Sequence, residues 1–88
     1  DITADVTYLQ GGTITVTGEN FAYGTFVWIN GWQVPQQAIR VADDKRIDVD
    51  LSPALIANNT ALPRKTDLTV TVQTPDFQTT EYSGFQIQ

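Results

Sequence analysis

The chain has 88 residues, a net charge of −5, and no cysteine, histidine or methionine. That composition excludes disulfide staples and thiolate metal sites, and it removes imidazole as a general base or metal ligand. The basic residues Arg40, Lys45, Arg46, Arg64 and Lys65 are scattered or paired, which gives a phosphate backbone or an anionic bilayer no clustered positive charge to meet.

In chain order, Asp5–Leu9 reads as a first strand ended by Gln10-Gly11-Gly12. Thr13–Thr17 alternates, with Ile14 and Val16 inward and the threonines outward. Gly18-Glu19-Asn20-Phe21 breaks that strand, and Phe21 is placed to plug one end of a core. Phe26–Ile29 is a run of β-branched and aromatic residues leading into Asn30-Gly31. That dipeptide supplies the two positive-φ positions of a type I′ turn. A two-residue loop then pairs Ile29 with Trp32, Trp28 with Gln33 and Val27 with Val34. Val27, Ile29, Trp32 and Val34 share the face expected to be core, and Phe26, Trp28 and Gln33 share the other.

Ala38–Val41 reads as a short strand, followed by the polar turn Asp43–Arg46. Ile47–Leu51 alternates again, with Asp48 and Asp50 outward. Ser52–Asn58 carries one helical signal, Ser52 as N-cap and Pro53 in the first turn. Leu62–Lys65 reads as loop. Thr66–Thr74 is the longest expected strand, with Leu68, Val70 and Val72 inward. Pro75-Asp76-Phe77 turns, and Glu81–Gln88 is the last strand, burying Phe85 and Ile87. About seven short strands with turn signals every 8–12 residues or so is the pattern of an all-β, immunoglobulin-like sandwich.

Gly11-Gly12-Thr13-Ile14-Thr15-Val16-Thr17-Gly18-Glu19-Asn20-Phe21, followed by Phe26-Val27-Trp28-Ile29-Asn30-Gly31, resembles the opening of the IPT/TIG family. This is the E-set type of immunoglobulin-like fold shared by plexins, some transcription factors and many bacterial surface proteins. Ile47–Pro53, Leu68–Val72 and Ser83-Gly84-Phe85 occupy the places of the family's later strands. The resemblance implies a domain with no catalytic site, serving as spacer, adhesion, dimerisation or accessory module. It would be a single domain, 1–88, excised from a longer multidomain protein, bacterial and secreted or at the cell surface. The lack of an initial methionine, an end at Gln88 directly after a strand, and the richness in threonine fit that expectation. The acidic balance argues against the branch of the family that touches DNA.

Phe26, Trp28 and Gln33, with Tyr23 nearby in sequence, form the candidate binding cluster, since aromatic rings beside amides and hydroxyls stack on sugars or anchor protein interfaces. Three fates stay open for these rings: packing against the Pro53–Lys65 loop, contact with a neighbouring domain of the parent chain, or a glycan or protein ligand. Asp43, Asp44, Asp48 and Asp50 offer the oxygen ligands calcium takes. Their spacing fits no binding loop, however, and Lys45 and Arg46 sit among them, so a solvated face is expected and no metal or other cofactor. Asp48 and Asp50 have no cleft in which to act as an acid–base pair, and no catalytic residue is assigned. Asn58-Asn59-Thr60 is an N-glycosylation sequon, usable in a eukaryotic secretory setting.

Overall fold

A computed structural model describes residues 2–57 and 59–88. The described residues form eight strands: β1 (Ile2–Thr7), β2 (Gly11–Thr17), β3 (Phe26–Ile29), β4 (Trp32–Gln33), β5 (Ile39–Asp43), β6 (Arg46–Leu51), β7 (Leu68–Gln73) and β8 (Thr79–Phe85). A single helical turn, α1 (Pro53–Ile56), follows β6. The strands make two four-stranded sheets, ordered β1-β2-β6-β5 and β4-β3-β7-β8. All strand pairs are antiparallel. The architecture is an all-β sandwich.

Alternation builds the core. Ile14 and Val16 of β2, Ile47, Val49 and Leu51 of β6, Val27 and Ile29 of β3, and Leu68, Val70 and Val72 of β7 are all buried in one cluster. Each such side chain contributes about 1.5–3 kcal/mol by leaving water. Phe21 is buried at the corner after β2, where the sequence placed it. The Asn30-Gly31 turn has positive φ at both residues, and the hairpin register is Ile29 with Trp32 and Trp28 with Gln33. The Val34 amide donates to the Val27 carbonyl at 2.8 Å, which completes the expected pairing. Ser52 caps α1 by accepting from the Leu55 amide at 3.3 Å, and Pro53 opens the helix. Asn58, the last residue of the predicted helical segment and the acceptor of the sequon, lies outside the described residues.

Several boundaries differ from the sequence reading, each for a local reason. The first strand runs Ile2–Thr7, not Asp5–Leu9, because β2 starts as early as Gly11. A Cβ on Gly12 would sit 1.9 Å from the Asp5 carbonyl oxygen, so only glycine permits this approach, and Tyr8–Gln10 become the turn. The strand expected at Ala38–Val41 shifts to Ile39–Asp43, because Gln36–Ala38 close a 3₁₀ turn after Pro35. The long strand starts at Leu68, not Thr66, and ends at Gln73. The last strand covers Thr79–Phe85, not Glu81–Gln88. Gly84, at φ +90°, lies at a register shift against β7 between Leu68 and Thr69. That bulge turns the chain away: Gln88 then donates to the Val6 carbonyl and accepts from the Tyr8 amide, at 3.0 and 2.7 Å. The tail, with Ile87 buried, thereby ties one sheet to the other.

Two burial expectations are also revised. Trp32 packs against the core on the predicted side but is only half-buried, because β4 is a two-residue strand at a sheet edge. Asp48 faces outward yet is only 5% exposed. The arginines of β5 and β6 lie over it, which alternation within one strand does not reveal.

Candidate functional site

The predicted cluster sits on the outer face of the β4-β3-β7-β8 sheet, apart from Tyr23. Phe26 and Trp28 alternate out of β3 on the same side, and their ring centroids are 5.9 Å apart at an interplanar angle of 44°. Trp28 pairs with Gln33 on one side and Thr71 on the other, and Thr71 pairs with Glu81. Directly paired residues share a face, so Gln33, Trp28, Thr71 and Glu81 form one row across all four strands. Phe26, Gln73 and Thr79 form a second row beside it. Phe26 is 37% exposed and Trp28 half-buried.

In the Pro53–Lys65 segment, considered as cover for these rings, the described side chains that are buried point elsewhere. Its buried side chains, Ile56 and Leu62, enter the core. They line a hollow with Tyr8, Pro63 and Arg64, at the end of the sandwich where the Arg64 guanidinium lies 5.0 Å over the Tyr8 ring. Tyr23 is not on the sheet face. It stands 92% exposed on the tight turn before β3, which the Thr25 hydroxyl closes by donating to the Ala22 carbonyl at 2.7 Å.

Two of the four aspartates expected to be solvated, Asp48 and Asp50, are instead joined in an ionic network on the outer face of the other sheet, while Asp43 and Asp44 are exposed as expected. Thr15, Asp48 and Arg40 are cross-strand neighbours. The Thr15 hydroxyl donates to Asp48 Oδ1 at 2.9 Å, and Arg46 Nε and Nη2 donate to its two oxygens at 3.2 and 3.3 Å. Arg40 binds Asp50 in a fork, Nε to Oδ2 at 2.6 Å and Nη2 to Oδ1 at 2.9 Å, and Thr13 donates to Asp50 as well, at 3.1 Å. The Arg40 hydrogen bond holds the Asp50 carboxyl below its ordinary range against the opposing effect of burial, with Thr13 adding to the lowering. The bond to Asp50 raises Arg40 in turn. Asp48 and Asp50 are each already matched by a guanidinium, so neither is a free ligand for a cation.

Sequence reasoning missed two parts of the aromatic region. Thr71, Gln73, Thr79 and Glu81 join it only through β3–β7 and β7–β8 pairing. The alternation of Thr69–Gln73 gave the outward facing of Thr71 and Gln73 but not their neighbours, and gave nothing for Thr79 and Glu81. Phe77, read only as a turn residue, is 80% exposed. An open hollow of about 450 Å³ also lies between β1 and the end of β8, lined by Ala4, Asp5, Ser83 and Gln86 among others. It is separate from Trp28.

Compared with known proteins, the chain matches no family model, no curated protein and no solved structure.

Proposed function

We propose that the chain is a non-catalytic, immunoglobulin-like module of the IPT/TIG type from a larger secreted or cell-surface protein. It serves as a structural and interaction domain whose contact face is the outer face of β4-β3-β7-β8. Strand order supports the immunoglobulin-like part. In that fold the strands named A, B, E and D form one sheet, C, F and G form the other, and C′ is added beside C in some variants. The orders β1-β2-β6-β5 and β4-β3-β7-β8 correspond to A-B-E-D and C′-C-F-G. The glycine-led strand β2, the corner plugged by Phe21 and the Val27-x-Ile29-x-Gly31 hairpin support the IPT/TIG part.

The observation that carries the interaction role is the Phe26–Trp28 ring pair, set among polar side chains of which Glu81 alone is charged, in two rows that cross the sheet. Aromatic surface left at the centre of a face marks contact with something else. That partner is a neighbouring domain, a protein or a glycan. The test records Trp28 emission in a Trp32→Phe variant, against soluble glycans and against adjoining domains of the parent chain. A response that Trp28→Ala abolishes supports the contact face; a Trp28 unresponsive to both sets overturns it.

A further inference from the structure

The β7–β8 connection holds a residue that the fold itself does not explain. The Phe77 amide donates to the Thr74 carbonyl and the Thr74 amide to the Gln78 carbonyl, both at 2.9 Å. Phe77 has φ +65°. This is the three-residue hairpin in which the left-handed position is normally glycine. A bulky residue there is strained, and this one is 80% exposed, so it gives the core nothing in return. Backbone strain without structural benefit points to use.

Tyr23 is its counterpart on the β2–β3 connection. The two turns meet: a Cβ on Gly24 would lie 3.9 Å from Pro75 Cγ. Both are held from below by a buried threonine. Thr25 is 1% exposed, bonded to Ala22 through its hydroxyl, and its carbonyl accepts from Gln36 Nε2 at 3.0 Å. Thr74 is 7% exposed, and its hydroxyl bonds Asp76 Oδ1 and the Gln78 carbonyl. Two aromatic side chains are therefore presented to solvent on turns with fixed bases, an arrangement that lowers the ordering cost of binding. The rows of the sheet face run up to these turns, because Phe26 pairs with Gln73, the residue before Thr74.

We infer that Tyr23 and Phe77 continue the Phe26–Trp28 surface into one strip, and that the strip takes a neutral polysaccharide chain. The inference rests on the sheet face being a contact face. The choice of ligand follows from the side chains flanking the rings: they are amides and hydroxyls, as in Gln33, Thr71 and Gln73, with Glu81 the one charged group in the two rows and Asp76 exposed beside Phe77. Such a surface hydrogen-bonds hydroxyl-rich chains while the rings stack on pyranose faces. An anionic polymer would meet Glu81 and the acidic net charge without a compensating cation.

The test is affinity electrophoresis of the 88-residue chain in gels carrying hydroxyethylcellulose, xylan or galactomannan, with polygalacturonate as the anionic comparison. At least one neutral polymer should retard the wild type, and polygalacturonate should not. Phe77→Gly and Tyr23→Ala should each weaken retardation by about tenfold or more, as loss of an aromatic anchor does. Glycine suits the left-handed position, so Phe77→Gly keeps or raises the thermal midpoint, and weakened binding cannot be put down to unfolding. Retardation by no neutral polymer, or by polygalacturonate alone, overturns the ligand class. Retardation that Trp28→Ala removes but Phe77→Gly and Tyr23→Ala leave intact overturns the strip and keeps the sheet-face reading. Retardation indifferent to Trp28→Ala overturns that reading as well.

Discussion

The two sheets share one core and present opposite outer faces. On β1-β2-β6-β5, a row of Thr3, Thr15, Asp48 and Arg40 crosses the strands, and its charged members bind within the face. On β4-β3-β7-β8, the corresponding row is Gln33, Trp28, Thr71 and Glu81, with an aromatic residue where the first row has a hydroxyl. On the first face Asp48, Asp50, Arg40 and Arg46 are partnered within the face; on the other, Phe26 stays exposed and Trp28 half-buried among amides and hydroxyls. Polar surface that is already paired has little to gain from a ligand, because binding must first displace what is there.

Substitutions can break that contrast at graded cost. Val70→Ala strikes the core beneath both faces and should cost about 2 kcal/mol or more in urea unfolding. A loss under roughly 0.5 kcal/mol, typical of surface sites, would reverse the inward and outward assignment. Asp48→Ala removes the buried acceptor of Thr15 and Arg46, and it should cost about 1–2 kcal/mol. Thr71→Ala, in the matching row of the aromatic sheet, should stay within about 0.5 kcal/mol of wild type. Equal losses at the two positions would erase the distinction between the faces.

A smaller effect concerns acid. The Asp50 carboxyl is lowered by its hydrogen bond from Arg40, so its contribution is present above the ordinary carboxylate range and is lost as pH falls through and below that range. Unfolding free energy of the wild type should therefore fall more steeply on acidification than that of Asp50→Asn; parallel curves would show that the fork adds nothing. Smallest is Phe77→Gly, which relieves left-handed strain and should leave stability unchanged or raise it by up to about 1 kcal/mol. A clear loss would mean that Phe77 serves the fold.

Local chemistry was legible in the sequence. Asn30-Gly31 set the hairpin register, and that register placed Phe26, Trp28 and Gln33 on the face away from Val27 and Ile29. The alternation of Leu68, Val70 and Val72 marked the inner side of β7. What could not be read depends on pairing between distant segments. Asp48 looked solvated because Arg40 reaches it from β5. Trp32 looked like core because the brevity of β4 was not visible. Phe77 looked like an ordinary turn residue because its φ follows from a hairpin that closes only when β7 and β8 pair. Tyr23 was grouped with the sheet face by nearness in sequence, although the Thr25-closed turn carries it to the end of the sandwich.

The most direct measurement is acrylamide quenching of the Trp32→Phe variant, in which Trp28 is the sole tryptophan. Trp28 emission should be quenched in the folded monomer, and a neutral polysaccharide that retards the chain in the gel assay should protect it. A Trp28 already shielded in the isolated chain would show that the ring is internal packing, and the contrast between the two faces would not hold.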